Sequence, residues 1–203
     1  MAIARESMNL KGQLHVHTTF SDGRLTIQEA ADVYEDLGFD FIVITDHDHL
    51  LRPGYREAVE GVKSNLLVFF GVELTLHTRW GYVHVSQIEG EEESLYVFNH
   101  PFEYGLSLKQ CRECIEDVTR VHRLDAVEVS HQGFYTPLFD NESIPYPKVA
   151  TDDSHARLGC GRAWIEMDCE KNKDIILRHI RKGRFKYRFV RGQPVIAVKP
   201  CEQ

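Results

Sequence analysis

Residues 41–45, Phe41-Ile42-Val43-Ile44-Thr45, form an unbroken apolar run with no polar alternation. A run this short reads as a strand buried on both faces. Such strands belong to sheets covered by other elements on either side, and the flanking sequence supplies those elements. Thr26-Ile27-Gln28-Glu29 before it is a capping box, in which Thr26 and Glu29 each satisfy the other's amide. A helix is expected from there to about Leu37, with Gly38 as its left-handed cap. Further strands are expected at residues 12–17, 66–73, 82–87 (paired with 73–78), 95–99, 126–129, 148–151, 163–167 and 185–190. Helices are expected near 55–62, 108–121 and 174–181. Alternating strands and helices predict parallel β/α units. The expected fold class is α/β, with about seven strands lining a barrel before Asp153.

The chain has 203 residues, enough for one domain with a sizeable core, and residues 1–203 are read as that single unit. The apolar share of 42% is that of a globular protein and argues against disorder. No apolar stretch approaches the roughly 20 residues of a membrane span. Residues 1–11 lack the apolar core of a signal peptide, so a cytoplasmic location is expected. The net charge of −7 argues against a broad grip on nucleic acid, which relies on cations meeting phosphates. Basic residues do gather late (Arg178, Arg181, Lys182, Arg184, Lys186, Arg188, Arg191), and a solvated helix face and edge strand explain them. Five cysteines form no regular framework, which fits a reducing compartment. Cys111 and Cys114 make a lone C-x-x-C in a helical segment, where packing is the expected role.

Eleven histidines are many for this length, and their positions matter more than their number. His15 and His17, two apart on a strand, point to one face. Asp22 follows in a turn. Asp46-His47-Asp48, Glu73, His84, His100, Asp153 and His155 each lie at or after a predicted strand. In a β/α barrel those ends converge on one rim, where active sites are built. Imidazole and carboxylate suit zinc, manganese and iron, and bound ions lower the pKa of water toward neutrality. A single histidine at a strand end is ordinarily structural, but a full set in these positions points to a metal cluster. His122 and His179 lie in helices and read as surface residues. His49 reads as a loop residue, and His77, an alternative to His84, sits at a hairpin tip. His131 follows Glu128 in an aromatic loop, residues 130–147, that is a candidate substrate cover.

Taken in order, these motifs resemble a known family. Leu14-His15-Val16-His17-Thr18-Thr19-Phe20-Ser21-Asp22-Gly23, then Ile44-Thr45-Asp46-His47, resemble the opening motifs of the PHP (polymerase and histidinol phosphatase) superfamily. Gly71-Val72-Glu73, Asn99-His100-Pro101 and Asp153-Ser154-His155 look like its later ones, as do residues 158–162 and 181–184 of its small stand-alone members. The resemblance spans roughly residues 12–190. It implies a distorted seven-stranded TIM-like barrel with two or three divalent ions. It assigns as ligands His15, His17, Asp22, His47, Glu73, His84, His100, Asp153 and His155. By analogy His15, His17, Glu73 and Asp153 hold one ion, Glu73, His84 and His100 a second, and Asp22, His47 and His155 a third. Asp152 is a rival to Asp153, and the Asp-x-His spacing favours Asp153.

The implied activity is hydrolysis of a phosphate ester by metal-activated hydroxide. Glu73, Asp153 and His131 are the catalytic candidates, with Asp48 a further proton donor. Arg157 and Arg162 are the candidates for gripping phosphate, ahead of Lys148. The connection at residues 102–125 is short, with little material to select a long substrate. A small phosphorylated or ester substrate is expected, with nucleic acid only as a substrate. Carbamate or ester hydrolysis, a 5′–3′ exonuclease whose loop aromatics stack on bases, and a non-catalytic scaffold are the alternatives. The filled ligand positions count against the last.

Overall fold

A computed structural model describes residues 8–190. The readings of residues 1–7 and Arg191 lie outside that range. In chain order the elements are β1 (Met8–Val16), α1 (Ile27–Asp36), β2 (Phe41–Ile44), α2 (Tyr55–Glu60), β3 (Leu67–Thr78), β4 (Gly81–Glu89) and β5 (Ser94–Phe98). Then follow α3 (Leu108–Val118), β6 (Ala126–Glu128), β7 (Ser130–His131), β8 (Phe134–Tyr135), β9 (Lys148–Val149), β10 (Ala163–Cys169), α4 (Lys173–Arg181) and β11 (Lys186–Phe189). Nine strands form one sheet in the order β11-β10-β1-β2-β3-β4-β5-β6-β9.

The stretch after β9 returns to β1. Val16 and Ser154 form a parallel bridge, and His17 N donates to Ser154 O at 3.0 Å. The run from β1 to β9 is thereby bent into a nearly closed barrel of the distorted TIM type. It is not uniformly parallel. β4 runs antiparallel to both β3 and β5, and β10 is antiparallel to β1 and β11. The reason for the first reversal is local. Thr78 pairs with Gly81, so only Arg79 and Trp80 lie between the strands, and a two-residue connection joins only antiparallel neighbours. Gly81 supplies the positive φ of 114° at this turn. Arg79 ties it to α3 through three hydrogen bonds to Asp117, one from its amide and two from its guanidinium.

β2 is buried along its whole length, as its composition requires. Phe41 and Val43 join one apolar cluster with Leu14, Phe69, Val97 and Val149, while Ile42 and Ile44 join another beneath α1 and α2. Each fully buried side chain of this size contributes about 1.5–3 kcal/mol. Gly12 is obligatory here, because a Cβ would meet the Phe41 ring at 1.8 Å. α1 has the expected capping box at Thr26 and Glu29, and Gly38 follows it at φ 71°. α3 carries a second box, Ser107 with Gln110, and buries Cys111 and Cys114 against β4, β5 and β6. Burial pushes the Cys111 thiol up to about 12, so this C-x-x-C packs.

The 130–147 segment departs from a free cover. Phe139 and Ile144 are buried with α3, and Lys148 Nζ donates to the carbonyls of Ile144 and Tyr146. Apolar burial anchors the loop, and only its β7–β8 tip stands near the barrel mouth. Of the late cations, Arg178 and Arg181 pair with Glu93, Arg181 with Asp125 and Arg188 with Glu166, while Lys182, Arg184 and Lys186 are exposed. No helix among the described residues is long and apolar enough to cross a membrane.

Candidate metal centre

Six barrel strands deliver the candidate ligands to one rim. β1 ends in His15 and His17, and β2 leads into His47, which bridges to Glu73 on β3. His84 comes from the first half of β4, because that strand runs the opposite way. β5 leads into His100, and β9 into Asp153 and His155. His100 and Asp153 carry positive φ values of 24° and 49°, costly for non-glycine residues and typical of functional sites.

Glu73 is the centre of the set and fully buried. Its Oε1 lies 3.1 Å from His100 Nε2, 3.2 Å from His15 Nε2 and 3.4 Å from His84 Nδ1. Its Oε2 lies 3.0 Å from His47 Nδ1 and 3.3 Å from His17 Nε2. Asp153 Oδ1 is 3.4 Å from His15 Nε2 and 3.3 Å from His17 Nε2. Asp22, nearly half exposed, reaches His155 Nε2 at 3.2 Å and His47 Nε2 at 3.7 Å. All nine residues expected as ligands are therefore brought together.

These contacts are close, yet many are not aligned hydrogen bonds. The Nδ1 atoms of His15, His17, His47, His84 and His100, with Glu73 Oε2 and Asp153 Oδ1, are buried without an aligned partner. Buried polar groups are normally satisfied, so this many unaligned imidazole and carboxylate atoms in one small region need a cause. Divalent ions supply one. Ligand atoms within metal-binding reach group as His17, Asp22, His47 and His155; as His15, His17 and Asp153; as His15, Glu73 and His100; as His47, Glu73 and His84; and as His100, Glu103 and Asp153. Glu73 belongs to two groups. Asp22, His47 and His155 group together as expected, joined by His17, while His84 and His100, both nearest Glu73 Oε1, fall into different groups.

The electrostatics match. Burial opposes charge throughout the set, but the carboxylates beside the imidazoles outweigh it. Glu73 and Asp153 hold His15 well above the ordinary histidine value, and His17 is raised to about 9. Reciprocally, the imidazoles hold Glu73 and Asp153 well below the usual carboxylate range despite burial. The set favours cations, whether protons or metal ions.

The remaining candidates fall elsewhere. His131 packs its ring on Phe102, at 5.4 Å, and does not line the cavity, so a proton-donor role is not supported by its position. Gln132 beside it does line the cavity, with φ 49°. Arg162 stacks over Phe134 and lies 3.5 Å from Gln132 O, behind the mouth. Arg157 is exposed on the turn after His155. Asp48 bonds Thr75 and His49, and His77 is exposed at the hairpin tip, as expected. Asp152 turns away and accepts from the amides of Gly161, Arg162 and Ala163 and from Tyr34 Oη.

Three residues were not anticipated as part of the site. Glu128, fully buried on β6, accepts from His100 N at 2.9 Å and lies 3.6 Å from His15 Nδ1. Asn99 donates to Glu73 Oε1 at 2.7 Å. Glu103 lies 2.9 Å from His100 Nδ1 and lines the cavity. Adjacency to the ligand motifs is the one signal that marked Asn99 and Glu103.

Comparison with known proteins agrees with this geometry. The PHP domain model matches residues 13–146. Over 55 residues the chain is 42% identical to the DNA polymerase/3'-5' exonuclease PolX of Bacillus subtilis (strain 168), a match covering 27% of this chain and 10% of that protein. The chain thus corresponds to a small part of that relative. Three solved structures share the fold. PsfC from Pseudomonas syringae PB-5123 has a TM-score of 0.65 at 15% identity, over 90% of this chain and 92% of that one. A two-domain protein from Bacteroides vulgatus ATCC 8482, containing a predicted PHP-like metal-dependent phosphoesterase, has 0.62 at 18%, over 90% and 65%. An amidohydrolase from Chromobacterium violaceum, with bound sulfate and no metal, has 0.61 at 14%, over 86% and 97%. With the matched residues running from β1 through most of the metal cluster, the chain belongs to the PHP domain family.

Proposed function

We propose that this chain is a metal-dependent hydrolase that cleaves a phosphate ester of a small substrate. The observation that carries the reading is the set of five imidazoles with a nitrogen 3.0–3.4 Å from the carboxylate of buried Glu73, while Glu73 Oε2 and Asp153 Oδ1 have no aligned partner. The donor set of nitrogen and oxygen suits zinc, manganese or iron, and it includes no thiolate of a closed structural zinc site. His17, Asp22, His47 and His155 would hold one ion. His15, His17 and Asp153 would hold another, and Glu73 a third, with His15 and His100 or with His47 and His84. Divalent ions there lower the pKa of water and offset charge on a reacting phosphoryl group.

Charge arithmetic supports an anionic substrate. Asp22, Glu73, Glu103 and Asp153 face the cavity, so two divalent ions neutralise them and a third leaves a surplus that suits a phosphate dianion. The cavity measures about 260 Å³. That is small beside the roughly 300–1,000 Å³ of drug-sized sites, so it admits the reacting group and leaves the rest of the substrate at the mouth. There Gln132 offers an amide, and Arg162 behind it brings positive charge. Glu73 and Asp153, held anionic, fix the imidazoles around the reacting group.

The test is turnover by the manganese- or zinc-loaded protein of a panel holding phosphomonoesters, a 5′-phosphorylated oligonucleotide, a carboxylic ester and a carbamate. Phosphomonoester turnover that needs metal and disappears in Glu73→Ala and Asp153→Ala is the expected result. Equal activity in those variants removes the assigned site. Turnover confined to the ester or carbamate favours that second reading.

A further inference from the structure

Each imidazole of the cluster turns one nitrogen toward the carboxylates at its centre, and the fate of the other nitrogen differs from ring to ring. In His47 both nitrogens face the cluster, one on Glu73 and one on Asp22. In His17 they face Asp153 and Asp22. In His155 they meet Asp22 and the Asp153 carbonyl. His15 turns its second nitrogen to the wholly buried Glu128, at the longer distance of 3.6 Å. His100 is different. Its Nε2 lies 3.1 Å from Glu73, and its Nδ1 lies 2.9 Å from Oε2 of Glu103, a residue nearly half exposed at the cavity wall.

The local chain explains how Glu103 comes to be there. His100 is in the left-handed region, with φ 24°, and its amide is fixed by Glu128. The turn that follows closes through Glu103 N donating to His100 O at 2.9 Å. A three-residue turn on a strained residue thus folds the Glu103 side chain back over the ring of that same residue.

We infer that Glu103 is a positioning residue for the metal centre: it takes the Nδ1 proton of His100 as a hydrogen bond and leaves Nε2 bare for an ion shared with Glu73. A neutral imidazole carries one N–H, and the partner of the protonated nitrogen decides which nitrogen is free to bind metal. The 2.9 Å contact is off the ideal hydrogen-bond line, and the exposed carboxylate would have to turn to align it. The inference rests on the metal-centre reading but not on the bond that is hydrolysed. It also separates two jobs at one rim. Glu73 is enclosed and touches the ions, while Glu103 is open to solvent and acts through a ring.

The test uses the full chain with zinc, reading metal affinity by competition with a chromogenic chelator and the His100 tautomer from its ring ¹⁵N shifts. Glu103→Ala is expected to weaken the affected zinc by about 10–100-fold and to remove the fixed Nδ1–H signature. Glu103→Gln keeps an acceptor oxygen and is expected to stay within about 3-fold of the unmodified chain, with the tautomer retained. Unchanged zinc affinity and unchanged ring shifts in Glu103→Ala overturn the inference. Equal loss in Ala and Gln variants also overturns it, because that result makes the charge itself the ligand. If zinc binding follows the expected pattern while no phosphoester is turned over, the proposed activity fails and the positioning role stands.

Discussion

Asp152 and Asp153 are neighbours that look in opposite directions. Asp152 faces the stretch before β10 and has everything a buried carboxylate needs: three backbone amides and the Tyr34 hydroxyl. Asp153 faces the cavity with Oδ1 unaligned to any donor and two imidazoles 3.3–3.4 Å away. Their acidities part accordingly. Burial pushes Asp152 up to about 6 against its hydrogen bonds, whereas the imidazoles hold Asp153 far below the usual range despite burial. A polar group whose valences the chain fills is part of the frame. One left open beside others like it is part of a binding site.

The largest effect separates the two positions by function. Asp153→Asn is expected to lower metal-dependent turnover by at least about 10³-fold, with the far-ultraviolet circular dichroism unchanged. Asp152→Asn is expected to cost about 1–3 kcal/mol of stability in denaturant titrations, because an amide nitrogen replaces an oxygen that meets donors. Its metal affinity should stay near that of the unmodified chain. Should Asp152→Asn strip metal as thoroughly as Asp153→Asn, the contrast drawn here is void.

The smallest effect is a pH dependence of a few degrees in the melting temperature of chelated protein. Asp152 rises on folding from 3.8 to about 6, so its contribution is full below 3.8 and is lost as pH rises through about 6. His17 rises from 6.5 to about 9, so its contribution is full below 6.5 and is lost as pH rises through about 9. Melting temperature should therefore fall in two windows. Asp152→Asn should remove the acid-side fall and leave the other. Zinc should remove the alkaline-side fall, because an imidazole bound to metal has already lost its proton.

Much of this was legible from the chain. The both-faces-buried run at β2 and the capping box at α1 required only local periodicity, and the ligand positions followed from strand ends. Parity explains the success with His15 and His17, since a strand leaves no choice of face for residues two apart. What escaped depended on distant partners. The strand at 66–73 and the stretch 73–78 expected to pair with β4 prove to be one continuous strand, because β2 pairs with its start and β4 with Phe70–Thr78. β1 begins at Met8 because β10, more than 150 residues later, pairs with it. The aromatics of 130–147 suggested a cover, but composition cannot distinguish Phe139 in the core from a ring over a substrate. Glu128 and Glu103 read as ordinary acids, and only the fold shows that each touches a histidine.

The bridge between Val16 and Ser154 has a consequence in time. Ribosomal synthesis delivers His15 and His17 first, and Asp153 and His155 some 140 residues later, yet the four meet across that single seam. Until the seam closes, the candidate ligands of the two ends stay apart. Assembly of the full set is therefore a late event in the life of each molecule, and an ion held by His15, His17 and Asp153 would tie β1 to the stretch after β9.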